Sequence, residues 1–368
     1  MADTERVSVP TADQTSDESV LAAARAEFDA EVVYLDTATL GLPPRRALVA
    51  IQHTLRQWQH GRSRPPDFDP VVASARSSFA ALVNVDPDQV AIGPQVSVYA
   101  GLVAAALPDG AEVLTAEGEF TSLLFPFLAQ HSRGVRVREV PLHYLAEAVT
   151  ANTTLVAVAA VQSRDGRLVD LDTLTTACNA TGTRILLDVT QAVGWLPIDA
   201  DRFTYTICGG YKWLLAPRGT CFFTVRAEAA DTLTPHAACW YAAESPWDGI
   251  YGGPLRLAAD ARRFDVSPAW HSWVGQAASL ELLAEVGIAR LHQHAVGLAN
   301  RFRAAIGAPP DESAIVSLHA DPEAETLLAR TGITASMRAG RLRLAFYLNN
   351  DQDDVDRAVE ALSSHVHL

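Results

Sequence analysis

The sequence predicts an α/β protein: a large domain with a mostly parallel sheet sandwiched by helices, followed by a smaller α+β C-terminal domain. Three observations lead there. Short apolar runs at residues 154–161, Arg184–Asp188 and 203–208 have the length and content of buried strands, and stretches with apolar residues at helical spacing separate them. At 368 residues and 49% hydrophobic, the chain can fill one large core and a smaller attached one. The third observation is chemical. Lys212 is the only lysine in a chain with 29 Lys and Arg residues, and only a lysine amine can lose its proton and form an imine with an aldehyde.

Taken in order, residues 1–15 are polar and patternless and read as a disordered tail. Val20, Leu21, Ala24 and Phe28 then recur at helical spacing, with Ser16 as the expected cap. Residues 16–42 are expected to form an N-terminal segment that packs on the small domain. The large domain is expected over 43–265 and the small one over 266–368. After Pro43 and Pro44, Leu48, Ile51, Leu55 and Trp58 mark an amphipathic helix, which a breaker at 61–66 ends. A helix over 71–83 and a strand over 89–92 follow. Gly93-Pro-Gln-Val-Ser97 then opens an apolar helix that runs to Leu107. A strand is expected over 111–115. The C-terminal part reads as helices over 270–286 and 288–306, strand-like runs near 314–318 and 333–338, and a last helix after Asp351.

Composition narrows the function. A net charge of −14 argues against a nucleic-acid partner, because nothing neutralises phosphates broadly. No apolar run approaches the roughly 18 residues of a membrane span and the amino terminus is not signal-like, so no membrane partner and a cytoplasmic location are expected. Cys178, Cys208, Cys221 and Cys239 show neither metal spacing nor a disulfide framework, and no metal is expected. Cys208 and Cys221 sit on strand-like runs and read as buried thiols. Cys239 lies beside an aromatic cluster and could line a pocket.

The stretch from Arg184 to Gly219 gathers the chemistry. Asp188 stands at the carboxyl end of one strand, with Gln191 three residues on, and Lys212 follows the glycine turn after the next strand. Ligands of parallel sheets bind beyond the carboxyl ends of the strands, so Asp188 and Lys212 are expected to face one crevice. Pyridoxal 5'-phosphate needs this pair. The lysine takes the aldehyde, and the carboxylate keeps the ring nitrogen protonated so that the ring draws in electrons.

With Asp188-x-x-Gln191, Lys212 in its strand-turn setting and Pro217-Arg218-Gly219-Thr220, the chain resembles the class V aminotransferase and cysteine desulfurase group of fold type I pyridoxal phosphate enzymes. The likeness runs from Tyr34 to Arg343. It implies that Lys212 binds the cofactor aldehyde, Asp188 the ring nitrogen and Gln191 the ring hydroxyl. Ser97 falls where the family has a phosphate-binding threonine, with Val96 departing from its usual small or hydroxyl neighbour; an ordinary helix cap explains Ser97 equally simply. Phe120 falls where the family places a ring face-on to the cofactor, and a core phenylalanine is the competing reading. Ser163 is implied at the ring hydroxyl. Gly209-Gly210-Tyr211 replaces the family's serine and histidine before the lysine, leaving Tyr211 as a donor.

Further likenesses concern the substrate and a second subunit. Asp36 and Thr37, in Tyr34-Leu-Asp-Thr-Ala38, are implied to line the substrate site, with a turn role as the alternative. Residues 262–268 resemble a family segment whose hydroxyl reaches a neighbouring subunit's phosphate. Ser267 is the matching residue, a homodimer with shared sites is implied, and a plain helix start fits the same residues. Arg343 is implied to clamp the carboxylate of an amino acid. Residues 236–273 are rich in aromatics, including Trp247 and Tyr251; a packed junction and a pocket for a bulky substrate group are both open. Between Thr331 and Arg343, where desulfurases carry a thiol, this chain has none. The expected reaction is therefore β-elimination from an S-substituted cysteine, with transamination, epimerisation or decarboxylation as alternatives and a non-catalytic binding subunit as the remaining class.

Overall fold

The computed structural model describes residues 12–367. In chain order it has α1 (Ala12–Arg25), β1 (Val33–Tyr34), α2 (Arg45–Gln59), α3 (Asp69–Leu82), β2 (Val90–Gly93), α4 (Val96–Ala105), β3 (Glu112–Ala116), α5 (Thr121–Leu128), β4 (Arg136–Val140), β5 (Thr153–Ala159), α6 (Leu171–Thr181), β6 (Arg184–Asp188), β7 (Tyr205–Gly209), β8 (Cys221–Val225) and α7 (Ala227–Ala230). The C-terminal part adds α8 (Trp270–Val286), α9 (Ile288–Ala305), β9 (Ile315–Ala320), α10 (Ala324–Thr331), β10 (Ile333–Thr334), β11 (Ser336–Arg338), β12 (Arg341–Ala345), α11 (Gln352–Leu362) and β13 (Val366–His367). Among the described residues, no helix is long and apolar enough to cross a membrane.

Seven strands form one sheet in the order β2-β8-β7-β6-β5-β3-β4. Only β8 runs against its neighbours, β2 and β7. Strand side chains alternate between faces, and both faces here are apolar. Val156, Val158, Ile185, Leu187 and Phe222 join one core, whereas Leu155, Ala157, Leu186 and Phe223 join the other. Rings lock the helical layers on: Phe79 of α3 stacks on Phe222 at 4.1 Å, and Tyr99 of α4 stacks on Phe223 at 4.7 Å. A sheet covered on both sides leaves its strand ends as the place for polar groups.

A second sheet, β11-β12-β9-β13, packs with α9 and α11 around Phe302, Leu344 and Phe346. The N-terminal segment enters this unit. β1 pairs in parallel with β10, and Ala345 N donates to Leu35 O at 2.8 Å. This pairing delivers residues 36–39 to the edge of the large sheet.

Three expectations change. α1 begins at Ala12, so Ser16 lies inside the helix and does not cap it, and residues 12–15 belong to its first turn; the rest of the expected tail lies outside the described residues. α8, expected with the small domain, packs against α2 and α3 and contributes Trp273, Leu280 and Leu283 to the large core. The partly exposed β4 edge was not anticipated, because β4 alternates arginine with valine, whereas β8 falls on the strand-like run that begins at Cys221.

Candidate active site

Asp188 is the last residue of β6, and Lys212 follows the end of β7 by three residues. Both face a cleft lined also by Gln95, Val96, Phe120, Ser122, Ala159, Ser163, Thr190, Gln191, Tyr211 and Arg218. The turn carrying the lysine is tightly fixed. A Cβ at Gly210 would lie 1.9 Å from Gln276 Oε1, so any larger residue would displace that buried side chain, and Leu215 holds φ at 59° although it is not glycine. Complete burial of Leu215 offsets the roughly 1–2 kcal/mol that such a conformation costs.

Lys212 is only 5% exposed. Burial, opposed by the charge of Asp188 and reinforced by Arg343 and Arg338, lowers its pKa to about 8. The amine therefore holds a sizeable neutral fraction near physiological pH. Burial pushes the Asp188 carboxyl upward, although Thr190 and Lys212 oppose the shift. Thr190 N donates to Asp188 Oδ1 at 2.9 Å, and Thr190 Oγ1 accepts from Gly209 N at 2.9 Å. Thr190 thus ties the two strand ends together. It lies inside the Asp188-x-x-Gln191 motif, yet it was overlooked because its role depends on the neighbouring strand.

Phe120 caps α5 and is 42% exposed, which sets aside its core reading. Its ring centroid lies 5.3 Å from Lys212 Nζ. Glu119, also overlooked, is buried beneath it and accepts from the N–H groups of Phe120 and Ala159, each at 2.8 Å, and from Gln162. Burial raises its pKa. Gln191 differs from its expected role: Nε2 donates to Ala38 O at 2.9 Å and Ser163 Oγ at 3.1 Å, while Oε1 accepts from Trp213 Nε1 at 2.8 Å. Both amide protons are committed within the chain, and the free donor on that side is the Ser163 hydroxyl.

Arg343 is 1% exposed, with its pKa lowered to about 10 by burial. It donates to Ser163 O and to Thr39 Oγ1, the latter at 2.6 Å, and lies 3.6 Å from Asp36. Its Nε is buried without a partner among the described residues. Asp36 also accepts from Ser336 Oγ at 2.7 Å, and Arg338 Nη2 donates to Thr39 Oγ1 at 2.9 Å. Thr39, Ser336 and Arg338 had no sequence signal, since pairing of distant strands brings them together.

Arg343 borders the cleft through Ser163, with Asp36 beside it, but neither is in its lining, and other expected residues do not line it either. Thr37 is fully buried and faces Asn349 Oδ1 at 3.5 Å, a packing role. Ser97 is the second residue of α4 and is not in the lining, whereas Val96 and Gln95 are. Ser267 is exposed and lies outside the cleft of its own chain. Trp247 donates to Asp69 Oδ2 at 2.6 Å and packs on Trp240, and Tyr251 is 92% exposed. Neither lines the cleft: apart from Tyr251, the segment's rings are largely spent on packing, with Trp273 fully buried and Trp270 stacked on Phe68. Cys239 Sγ lies 3.9 Å from Asp265 O, and the other three thiols are buried.

The residues present fit pyridoxal 5'-phosphate. A buried carboxylate whose nearest cation is the lysine lacks the partner that a protonated ring nitrogen supplies. α4 presents its first N–H groups beside Gln95 and Val96 without any side-chain cap, as an anionic group requires.

Comparison with known proteins agrees. The family model described as aminotransferase class-V matches residues 33–328. The chain is similar to the uncharacterized aminotransferase YcbU of Bacillus subtilis, at 29% identity over 79% of this chain and 82% of that one. It is also similar to the isopenicillin N epimerase of Streptomyces clavuligerus, at 28% identity over 71% of each. Among solved structures, the cystine C–S lyase C-DES in complex with cysteine persulfide superposes with a TM-score of 0.83 at 20% identity, covering 91% of this chain and 98% of that one. The architecture is the fold type I arrangement and the cofactor is pyridoxal 5'-phosphate. With a lone lysine and a buried aspartate at adjacent strand ends and a family match over most of its length, the chain belongs to the class V aminotransferase family.

Proposed function

We propose that the chain is a carbon–sulfur β-lyase that acts on an S-substituted L-cysteine and yields a thiol, pyruvate and ammonia. The carrying observation is that Lys212, with a pKa near 8, is the one proton-transferring group of the described cleft lining outside the Asp188 carboxyl and the Tyr211 phenol, and that no thiol accompanies it. Bound pyridoxal phosphate supplies a sink for the electron pair left at Cα.

Arg343 holds the substrate carboxylate with its planar donor fork, including the Nε that lacks a partner among the described residues. Asp188 keeps a negative charge against the ring nitrogen. Lys212 Nζ takes the Cα proton as general base. With the cofactor bound, the electron pair at Cα would form the Cα–Cβ double bond as the Cβ–S bond breaks and sulfur leaves with its pair, and the Lys212 ammonium would return a proton to that sulfur. The released aminoacrylate hydrolyses to pyruvate and ammonia. Phe120 shields the lysine from bulk water. Tyr211, whose pKa burial raises, is a poor second base, which disfavours epimerisation. The segment where desulfurases carry their thiol is here the paired strands β10 and β11, which disfavours desulfuration. An exposed Ser267 is consistent with a homodimer in which that hydroxyl meets the partner's cofactor.

The test is product identification. Holoenzyme mixed with cysteine S-conjugates should release thiol and pyruvate in equal amounts. Transfer of the amino group to a 2-oxo acid without pyruvate would replace this reading by transamination.

A further inference from the structure

The cofactor carries a phosphate with close to two negative charges, and the described cleft lining offers few groups to meet it. Gly209 and Gly210 stand where the resembled family has hydroxyl-bearing and other neighbours of the lysine, and they contribute no side chain. Gly210 admits none without displacing Gln276, as the approach of its Oε1 shows. Ser97 is outside the lining. α4 supplies backbone N–H groups beside Gln95 and Val96, but no cation. Of the described lining residues only Lys212 and Arg218 are cationic, and the Lys212 amine is the group that takes the aldehyde.

Arg218 is well placed for the remaining task. Its side chain is exposed at the cleft mouth with Cζ over the Tyr211 ring, 4.8 Å from the centroid, and both residues line the cleft beside the lysine turn. Its backbone is pinned, since Ser272 Oγ donates to Arg218 O at 2.9 Å and Gly219 turns the chain away at φ 107°. No ion pair engages its side chain among the described residues. A cation–π contact consumes none of the guanidinium N–H donors, and their planar fork binds phosphate oxygens in pairs.

We infer that Arg218, held on the Tyr211 ring, is the phosphate-binding cation of the cofactor site and replaces the side chains that the glycine turn lacks. The inference rests on the cofactor and not on the lyase reading, so it stands or falls separately from the reaction catalysed. Arg218 binds through charge and edge hydrogen bonds, and Tyr211 acts as a positioning residue for it.

The experiment compares affinity for pyridoxal 5'-phosphate with that for pyridoxal, which lacks the phosphate, by absorbance titration of purified enzyme stripped of cofactor. Arg218→Gln should weaken binding of the phosphorylated form about 10- to 100-fold, the range for losing a charged hydrogen bond, and leave pyridoxal binding within about twofold. Arg218→Lys should fall between, keeping the charge but losing the planar fork. Thermal unfolding of the stripped variants checks that the fold is intact. Unchanged affinity for pyridoxal 5'-phosphate would overturn the inference. So would an equal loss for both ligands, because Arg218 would then act only by supporting the turn.

Discussion

The lysine cleft and the arginine cluster that borders it at Ser163 hold comparable numbers of polar groups but are assembled from different spans of chain. Asp188, Thr190, Gln191, Tyr211 and Lys212 come from two adjacent strands and their turns, within 25 residues. Asp36, Thr39, Ser163, Ser336, Arg338 and Arg343 are drawn together from residues 36 to 343 by the pairing of β1 with β10 and of β11 with β12. The first end is fixed mainly by the large sheet, with Ala38 and Gly41 bonding to Gln191 and Tyr211 from the N-terminal segment. The second exists only when the N-terminal segment, the large sheet and the small unit pack correctly, so substitutions there should act on substrate affinity more than on the chemical step.

The largest effect is expected at the locally built end. Lys212→Ala should lower the rate of pyruvate release about 1,000-fold or more, since it removes both the base and the attachment point. Thermal stability should not fall, because a buried amine is removed. Retained turnover would mean that another group performs the proton transfer. Asp188→Asn should cost about 100-fold in kcat, the usual scale for losing one preorganised charge, with KM little altered.

Titration offers a third measure of the same end. The free-lysine value of 10.5 is lowered to about 8, so the protonated, unreactive form dominates below that value. The rate at which cofactor-free protein captures pyridoxal phosphate should rise about tenfold per pH unit up to about 8 and then level off. A rise continuing toward pH 10 would show that the amine is solvated and the cleft open. The same shift should make the cofactor-free protein gain stability as pH rises from about 8 toward 10.5, where the unfolded chain holds a proton that the folded one has released.

What the sequence disclosed follows this division. The strand Arg184–Asp188 and the helix Trp270–Val286 were legible to the residue, and Asp188 and Lys212 were expected to share a crevice, because each depends on short-range pattern. Arg343 could be singled out only by resemblance. Thr39, Ser336 and Arg338 carried no local signal, since their relation arises when β1 inserts beside β10 some 300 residues later. The contacts of Gln191 within the chain were not foreseen for a related reason: Trp213 and Ala38, which hold its amide, reach it from other turns. Glu119 was missed because a carboxylate after a strand looks like any solvated loop charge until the N–H groups of Phe120 and Ala159 converge on it.

Thr39→Val tests the assembled end directly. Its hydroxyl is the shared acceptor for Arg343 and Arg338, and valine keeps the shape while leaving both guanidiniums short of a partner. Losing it should cost about 1 kcal/mol in positioning, seen as a five- to tenfold rise in KM with kcat within about twofold. A fall in kcat with KM unchanged would place Thr39 at the reacting atoms instead.

The smallest effect should come from the aromatic segment, whose rings could have served either packing or the substrate. Trp247→Phe keeps the ring against Trp240 but deletes the N–H that donates to Asp69 Oδ2 at 2.6 Å. Asp69 is the first residue of α3 and also accepts from the Tyr241 hydroxyl at 3.3 Å, so removal of one of two donors leaves the carboxylate partly satisfied. The bond is half-buried, which brings the loss down to about 1 kcal/mol, or about 2 °C in Tm for a chain of this size. KM should be unaffected, because no atom of Trp247 lines the cleft. The opposite pattern, a raised KM at unchanged Tm, is what a segment reaching a substrate would produce. Since the lining of its own cleft excludes that segment, such a result would require it to act on the site of a neighbouring subunit.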